Sequence, residues 1–141
     1  MNVALDTNVI SELTKAHPDP NVVTWIGRDR SAELFLPAPC LAELHRGLLL
    51  MPPGRRREAL TTHVDRLLTG LGGVLAFSAD EARVFARLTS QPGRPRPTTD
   101  AMIAAICFTH EMPLATRNTS DFSDCDIELI DPWACLLYTS D

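Results

Sequence analysis

The sequence predicts an α/β domain whose parallel sheet of about five strands is flanked by helices. Three observations carry that expectation. Short apolar runs recur at Val3-Ala4-Leu5, Leu34-Phe35-Leu36, Val74 to Phe77, Pro113 to Thr116 and Glu128-Leu129-Ile130. Stretches with helical spacing separate most of them, and parallel neighbours need crossovers of that length. A carboxylate, Asp6, stands directly at the exit of the first strand, where open α/β sheets keep their chemistry.

After the first strand, Val9 to Leu13 reads as a helix and His17-Pro18-Asp19-Pro20 as a turn. Asn21 to Arg30 has the spacing of a short helix carrying Val22, Val23, Trp25 and Ile26, and Leu34 to Leu36 is the second buried strand. Pro39 suits the first turn of a helix running to about Met51, where Pro52-Pro53-Gly54 stops it. Along it, Cys40, Leu41, Leu44, Leu48 and Met51 form an apolar stripe. Glu43 falls on the margin of that stripe beside Gly47, a glycine expected to admit another backbone.

A further helix covers Arg55 to Thr69 and ends at Gly70, before the third strand at Val74 to Phe77. Ser78 and Glu81 then have capping-box spacing for a helix to about Thr89. Gln91 to Pro97, with three prolines and a glycine, is expected to be a mobile loop. Thr98-Thr99-Asp100 opens a helix over Ala101 to about Glu111 that is apolar nearly all round and should therefore be central. Pro113 to Thr116 and Glu128 to Ile130 complete the sheet.

A chain of 141 residues suits one domain, here Met1 to Trp133. The segment 134–141 matches no pattern in the rest and reads as adapter- or vector-derived sequence, so it is left out of the reading of fold and function. A hydrophobic fraction of 45% is ordinary for a soluble globular protein and offers no case for disorder. The start lacks a secretory signal, and the longest apolar run, Ala101 to Phe108, falls far short of the roughly 20 residues that span a bilayer, which predicts a cytoplasmic protein with no membrane partner. Cys40, Cys107, Cys125 and Cys135 have no C-x-x-C spacing and read as reduced thiols.

A net charge of -5 argues against coating nucleic acid through an overall positive field. It is compatible with a nuclease, because carboxylates that hold cations count as negative in the tally while the bound ions reverse the local sign. Basic residues cluster at Arg55-Arg56-Arg57 and at Arg94 and Arg96, with Arg117 nearer the expected site.

Four acids lie at element ends or on inward faces: Asp6, Glu43, Asp100 and Asp121. Each has an ordinary reading as well. Asp6 and Asp100 are favoured helix caps, Glu43 suits a solvated helix face, and Asn118 or Asp121 lies in a turn that Asn commonly shapes. Asp124 and Asp126 lack the spacing of a calcium loop and read as solvated. There is no nucleophile elbow, phosphate loop or dinucleotide fingerprint, and His17, His45, His63 and His110 form no pair at ligand spacing. Converging carboxylates without a paired cation point to a divalent metal.

Together, Leu5-Asp6-Thr7-Asn8-Val9-Ile10, Ala42-Glu43-Leu44 with Gly47, Thr99-Asp100-Ala101-Met102-Ile103-Ala104-Ala105, and Ala115-Thr116-Arg117-Asn118 with Asp121-Phe122 resemble PIN-domain proteins, most of all the VapC-type toxins. The resemblance covers Met1 to Trp133. It implies a PIN-like, Rossmann-like sheet and a Mg2+- or Mn2+-dependent endoribonuclease acting as the toxin of a toxin-antitoxin pair. It further implies metal ligation by Asp6, Glu43 and Asp100, catalytic participation of Asp121, and positioning of ligand or substrate by Asn8, Thr116, Arg117 and Asn118. RNA, a cognate antitoxin and a second copy of the chain are the implied partners. Asn118 stands where many relatives carry Asp, which leaves open a degenerate PIN-like module that binds RNA or protein without cutting. A phosphoacceptor domain fits less well, since no adjacent acids follow the first strand.

Overall fold

Val3, Ala4 and Leu5 are almost entirely shielded from solvent, as expected of a strand covered on both faces. They form β1 (Val3–Leu5), the middle of a sheet with β2 (Leu34–Pro37), β3 (Gly73–Leu75), β4 (Leu114–Ala115) and β5 (Leu129–Ile130) in the computed structural model. The structure describes residues 1–28, 33–93 and 95–134. Strand order is β3-β2-β1-β4-β5 and every neighbouring pair is parallel. From β1 the chain winds to one side through β2 and β3, then crosses to β4 and β5 on the other. That reversal opens a crevice at the carboxyl ends of β1 and β4.

Register places two residues in that crevice. Ala4 pairs with Leu114 and Leu5 with Ala115, so Asp6 and Thr116, the next residue of each strand, leave the sheet side by side. The Asp6 N–H still donates to the Ala115 carbonyl at 2.9 Å.

The helices are α1 (Thr7–Leu13), α2 (Pro20–Ile26), α3 (Ala38–Leu50), α4 (Arg55–Thr69), α5 (Ala79–Thr89) and α6 (Thr98–His110), with a 3-10 turn at Thr119–Phe122. As its composition predicts, α6 is central: Ala101, Ile103, Ala104, Ala105, Ile106 and Cys107 are all buried. Burial of side chains such as Leu5, Ile10, Ile103 and Ile106 is worth about 1.5–3 kcal/mol each. Cys40, Cys107 and Cys125 are buried free thiols, whereas Cys135 lies outside the described residues. Among the described residues, no helix is long and apolar enough to cross a membrane.

Several local expectations shift for physical reasons. Helix α1 begins at Thr7 rather than Val9, because the Asp6 carboxylate accepts the Thr7 N–H at 2.8 Å. Helix α2 starts on Pro20 with Asp19 accepting the Asn21 N–H at 2.8 Å, and it ends at Ile26, short of the expected Arg30, because Gly27 caps it with its N–H on the Val23 carbonyl at 3.0 Å. Strand β3 starts at Gly73 and ends before Ala76. A Cβ at Gly72 would come within 2.9 Å of the Phe35 ring, so the chain enters β3 where only glycine fits. Phe77 leaves the sheet to meet Phe85 edge-on, 5.8 Å between centroids.

Gly47 departs from expectation, since a Cβ there would meet nothing within 4 Å and no backbone approaches it. Nor is the end of the Gln91–Pro97 loop free. Arg96, with 7% of its side chain exposed, donates to the Leu88 carbonyl at 3.3 Å and pairs with Asp124 at 2.8 Å. Asp124 is therefore an ion-pair partner rather than merely solvated. Arg94 and residues 135–141 lie outside the described residues.

Candidate metal centre at the strand crossover

Asp6 is 7% exposed and both of its oxygens are engaged. Oδ1 accepts the Thr7 N–H at 2.8 Å and the Cys40 thiol at 3.8 Å, and Oδ2 accepts the Thr116 hydroxyl at 2.8 Å. Thr116 is fully buried, and its Oγ1 also accepts the Asn118 N–H at 3.0 Å and the Asn8 side-chain amide at 3.4 Å. Asn8 Oδ1 in turn accepts the Arg117 N–H at 3.4 Å. The helix-cap reading of Asp6 is correct and incomplete: the cap fixes one oxygen while a threonine from β4 fixes the other.

Glu43 projects from α3 and is exposed, and its carboxylate accepts the Thr7 hydroxyl. One ligand atom each from Asp6, Cys40 and Glu43 lies within 4.8 Å of the others. Burial pushes the Cys40 thiol far up, so it stays protonated and serves as a weak donor to Asp6. Hard carboxylate oxygens with a neutral thiol behind them suit Mg2+ or Mn2+ better than a soft ion.

Asp100 occupies the first turn of α6 and is partly buried. Burial raises its carboxyl above the usual range, and the negative charges of Asp121, Asp6 and Glu43 raise it further, in that order. Burial likewise raises Asp6, with Glu43 adding to the rise against the hydrogen bonds from Thr116 and Thr7. Asp100 therefore feels the other three acids and Asp6 feels Glu43, and Asp6, Glu43 and Asp100 have no ion-pair partner among the described residues.

A cleft of about 360 Å³ brings Asp6, Asn8, Glu43, Asp100, Arg117 and Asn118 together on its walls. Thr116 lies beneath it. Asp121 stands apart from this cleft, in an adjoining depression of about 380 Å³ with Arg96 and Asp124, and Asp100 belongs to both walls. The arginine triplet starts α4 away from the cleft, with Arg57 turned to the Met51 carbonyl at 3.5 Å.

Four contributors escaped the reading of the sequence. Thr7 and Cys40 brace the acids, as described. Glu12 lines the cleft at 6% exposure, accepts Lys15 Nζ and the Asp19 N–H at 2.9 Å each, and has its carboxyl lowered first of all by Lys15. Its spacing of four from Asn8 on α1 and three from Lys15 just past the helix end is a usable signal. Trp133, under the Arg117 guanidinium at 5.2 Å, had none.

A PIN-domain family model matches residues 3–128. The chain is a PIN-domain protein. Among its relatives, the VapC ribonuclease Y4jK of Sinorhizobium fredii is 40% identical over 136 residues, covering 93% of this chain and 97% of the relative. Toxin FitB of Neisseria gonorrhoeae is 31% identical, with 93% and 98% covered. The crystal structure of FitAcB from N. gonorrhoeae matches the PIN domain with a TM-score of 0.85 at 30% identity, over 96% of this chain and 100% of that one. DNA-bound VapBC from Salmonella typhimurium, at 21% identity and a TM-score of 0.80 over 95% and 99% of the two chains, shares the fold. The PIN domain described here is thus of the VapC type, and its five-stranded parallel sheet is the one the sequence predicts.

Proposed function

We infer that this PIN domain is a divalent-metal-dependent endoribonuclease, the toxin of a toxin-antitoxin pair, working in the cytoplasm. The observation that carries the reading is the convergence of Asp6, Glu43 and Asp100 on one cleft, none of them ion-paired among the described residues, with Asp6 and Glu43 each braced by a hydroxyl. Relatives named as a VapC ribonuclease and a toxin support the same reading.

Asp6, Asp100 and Glu43 would hold Mg2+ or Mn2+, which would supply water activation and relief of charge developing on the phosphate. The chain's own residues do the rest. Thr116 and the Thr7 N–H lock the two oxygens of Asp6, so its lone pairs are pre-aimed into the cleft. Thr7 holds the Glu43 carboxylate at the wall, where its free oxygen takes the proton of an attacking water. Asn118 offers an amide to the phosphodiester, and Arg117 a guanidinium. Asp121 acts from the adjoining depression through its charge on Asp100, leaving the cleft-facing fourth position to Asn118.

An acidic cleft in a chain of net charge -5 suits an antitoxin that inserts a basic side chain. A solved relative at 30% identity is FitAB bound to a DNA fragment, which supports an antitoxin partner; a toxin homodimer within the assembly belongs to the same reading. The test is incubation of the full chain with a cellular RNA pool, with Mg2+ or Mn2+, with EDTA, and beside Asp6→Asn. Fragments requiring both metal and Asp6 are expected. Metal binding without any cleavage would instead favour the non-cutting module that Asn118 leaves open.

A further inference from the structure

Arg117 stands in a cleft lined by Asp6, Glu12, Glu43 and Asp100, yet its guanidinium pairs with none of them. It lies over the Trp133 ring instead, 5.2 Å from the centroid. An exposed arginine that forgoes nearby carboxylates for an aromatic face keeps its guanidinium over that ring and its N–H groups available to a ligand. Trp133 is held for the purpose by its backbone. Its carbonyl accepts the Asn21 amide at 2.9 Å and its N–H donates to Asp131 at 2.9 Å, which ties the end of the domain to α2. The indole N–H is buried and meets no acceptor in hydrogen-bond geometry, although the ring comes near enough to Glu12 to help lower its carboxyl. The ring is thus fixed by its backbone bonds and set beside Glu12, with one face under the Arg117 guanidinium.

We propose that the Arg117–Trp133 stack is the nucleobase platform of this cleft, taking the unpaired base next to the scissile phosphate of a single-stranded RNA. The base lies on the free face of the guanidinium, whose edge donates to the adjoining phosphate while Trp133 backs the other face. Stacking on aromatic rings and on arginine planes is how proteins select splayed-out RNA bases, and it requires the base to be out of a helix. The platform rests on the ribonuclease reading and deepens it, by making the substrate single-stranded at the cleavage point.

The test uses the full chain and an RNA that it cuts, as the intact single strand, as a duplex, and with an abasic nucleotide beside the cut. Wild type is expected to lose about 10- to 100-fold in kcat/KM on the abasic strand, mostly through KM, and to leave the duplex intact. Trp133→Ala should reproduce that loss on the intact strand and be insensitive to the abasic change. Trp133→Phe should recover most activity, Arg117→Lys should not, and Mn2+ affinity should stay at the wild-type value throughout. Binding in EDTA gives a reading free of catalysis: the emission that wild type has beyond Trp133→Phe should be quenched by the single strand. Equal cleavage of intact and abasic strands by wild type would overturn the platform and leave the nuclease standing. Quenching by RNA that is never cut would keep the platform and overturn the nuclease; no quenching and no cleavage would overturn both.

Discussion

Helix α6 runs between two concave surfaces that differ in kind. At its N-terminal end lies the 360 Å³ cleft at the carboxyl ends of the strands; beyond its C-terminal end, where β4 and β5 begin, lies a groove of about 570 Å³. The larger groove also has acids, Asp80, Glu111, Asp126 and Glu128, around Val84, Phe108 and Met112. All four of those acids are exposed, and Asp80 makes a surface pair with Arg83 at 3.4 Å. In the smaller cleft, Asp6 is buried with both oxygens held, and Asp100 is raised first by burial and then by the charges around it. Size and acid count therefore do not identify the site. What does is carboxylates that the fold keeps close together at a cost in desolvation and repulsion, a cost that a bound dication would offset.

The largest expected contrast between the two ends is in cleavage. Asp6→Asn or Asp100→Asn should lower metal-dependent RNA cleavage by at least about 100-fold with the circular dichroism spectrum unchanged. Glu128→Gln in the opposite groove should stay within about twofold of wild type. Comparable losses at both ends would erase the distinction.

Stability should separate the core-facing side of α6 from its side in the larger groove as well. Ile106→Ala removes a fully buried side chain and is expected to cost about 2–5 kcal/mol in urea unfolding. Phe108→Ala, at 38% exposure under Arg87, should cost about 1 kcal/mol or less. A costly Phe108 change would mean that the larger groove is part of the core.

Bracing of the acids has its own signature. Thr116→Val keeps the shape and deletes the donor to Asp6 Oδ2, so Mn2+ affinity should drop about tenfold or more. An unchanged dissociation constant would reduce Thr116 to packing.

The smallest effect is on pH dependence. Burial raises the folded-state pKa of Asp6 above its unfolded value, so its contribution to stability is full below the unfolded pKa and is lost as pH rises through the folded one. Asp6→Asn stays neutral and should melt higher than wild type in metal-free buffer at pH 7.5, by about 4 °C for each kcal/mol relieved. That advantage should vanish below about pH 4. A wild type that melts as high as the variant at pH 7.5 without metal would contradict it.

How much of this was legible in the sequence follows from how local each signal is. The Asp6 exit, the apolar surround of α6 and the Ser78–Glu81 spacing are short-range patterns, and they gave the sheet, the central helix and a cap in which the Ser78 N–H donates to Glu81 at 2.9 Å. The edges of β3 were displaced because they depend on the Phe35 ring, almost 40 residues away in the chain, against Gly72. The bonds of Thr7 to Glu43 and Thr116 to Asp6 cross 36 and 110 residues, so the first depends on the packing of α1 against α3 and the second on the register of β1 on β4. Arg96 misled for the opposite reason. Its setting of prolines and glycine signals a loop, but not the ion pair of its buried side chain with Asp124 that ties the loop down. Trp133 follows Asp131-Pro132 in a segment that reads as a simple ending, and nothing in its neighbours reports the stack with Arg117.

The most direct test of the central claim is anomalous diffraction from crystals of the full chain grown with Mn2+. The account predicts a manganese peak between Asp6 and Asp100 with Glu43 at its edge, absent from Asp6→Asn crystals. A peak confined to Asp126 and Glu128 in the larger groove, or persisting unchanged in Asp6→Asn, would contradict it.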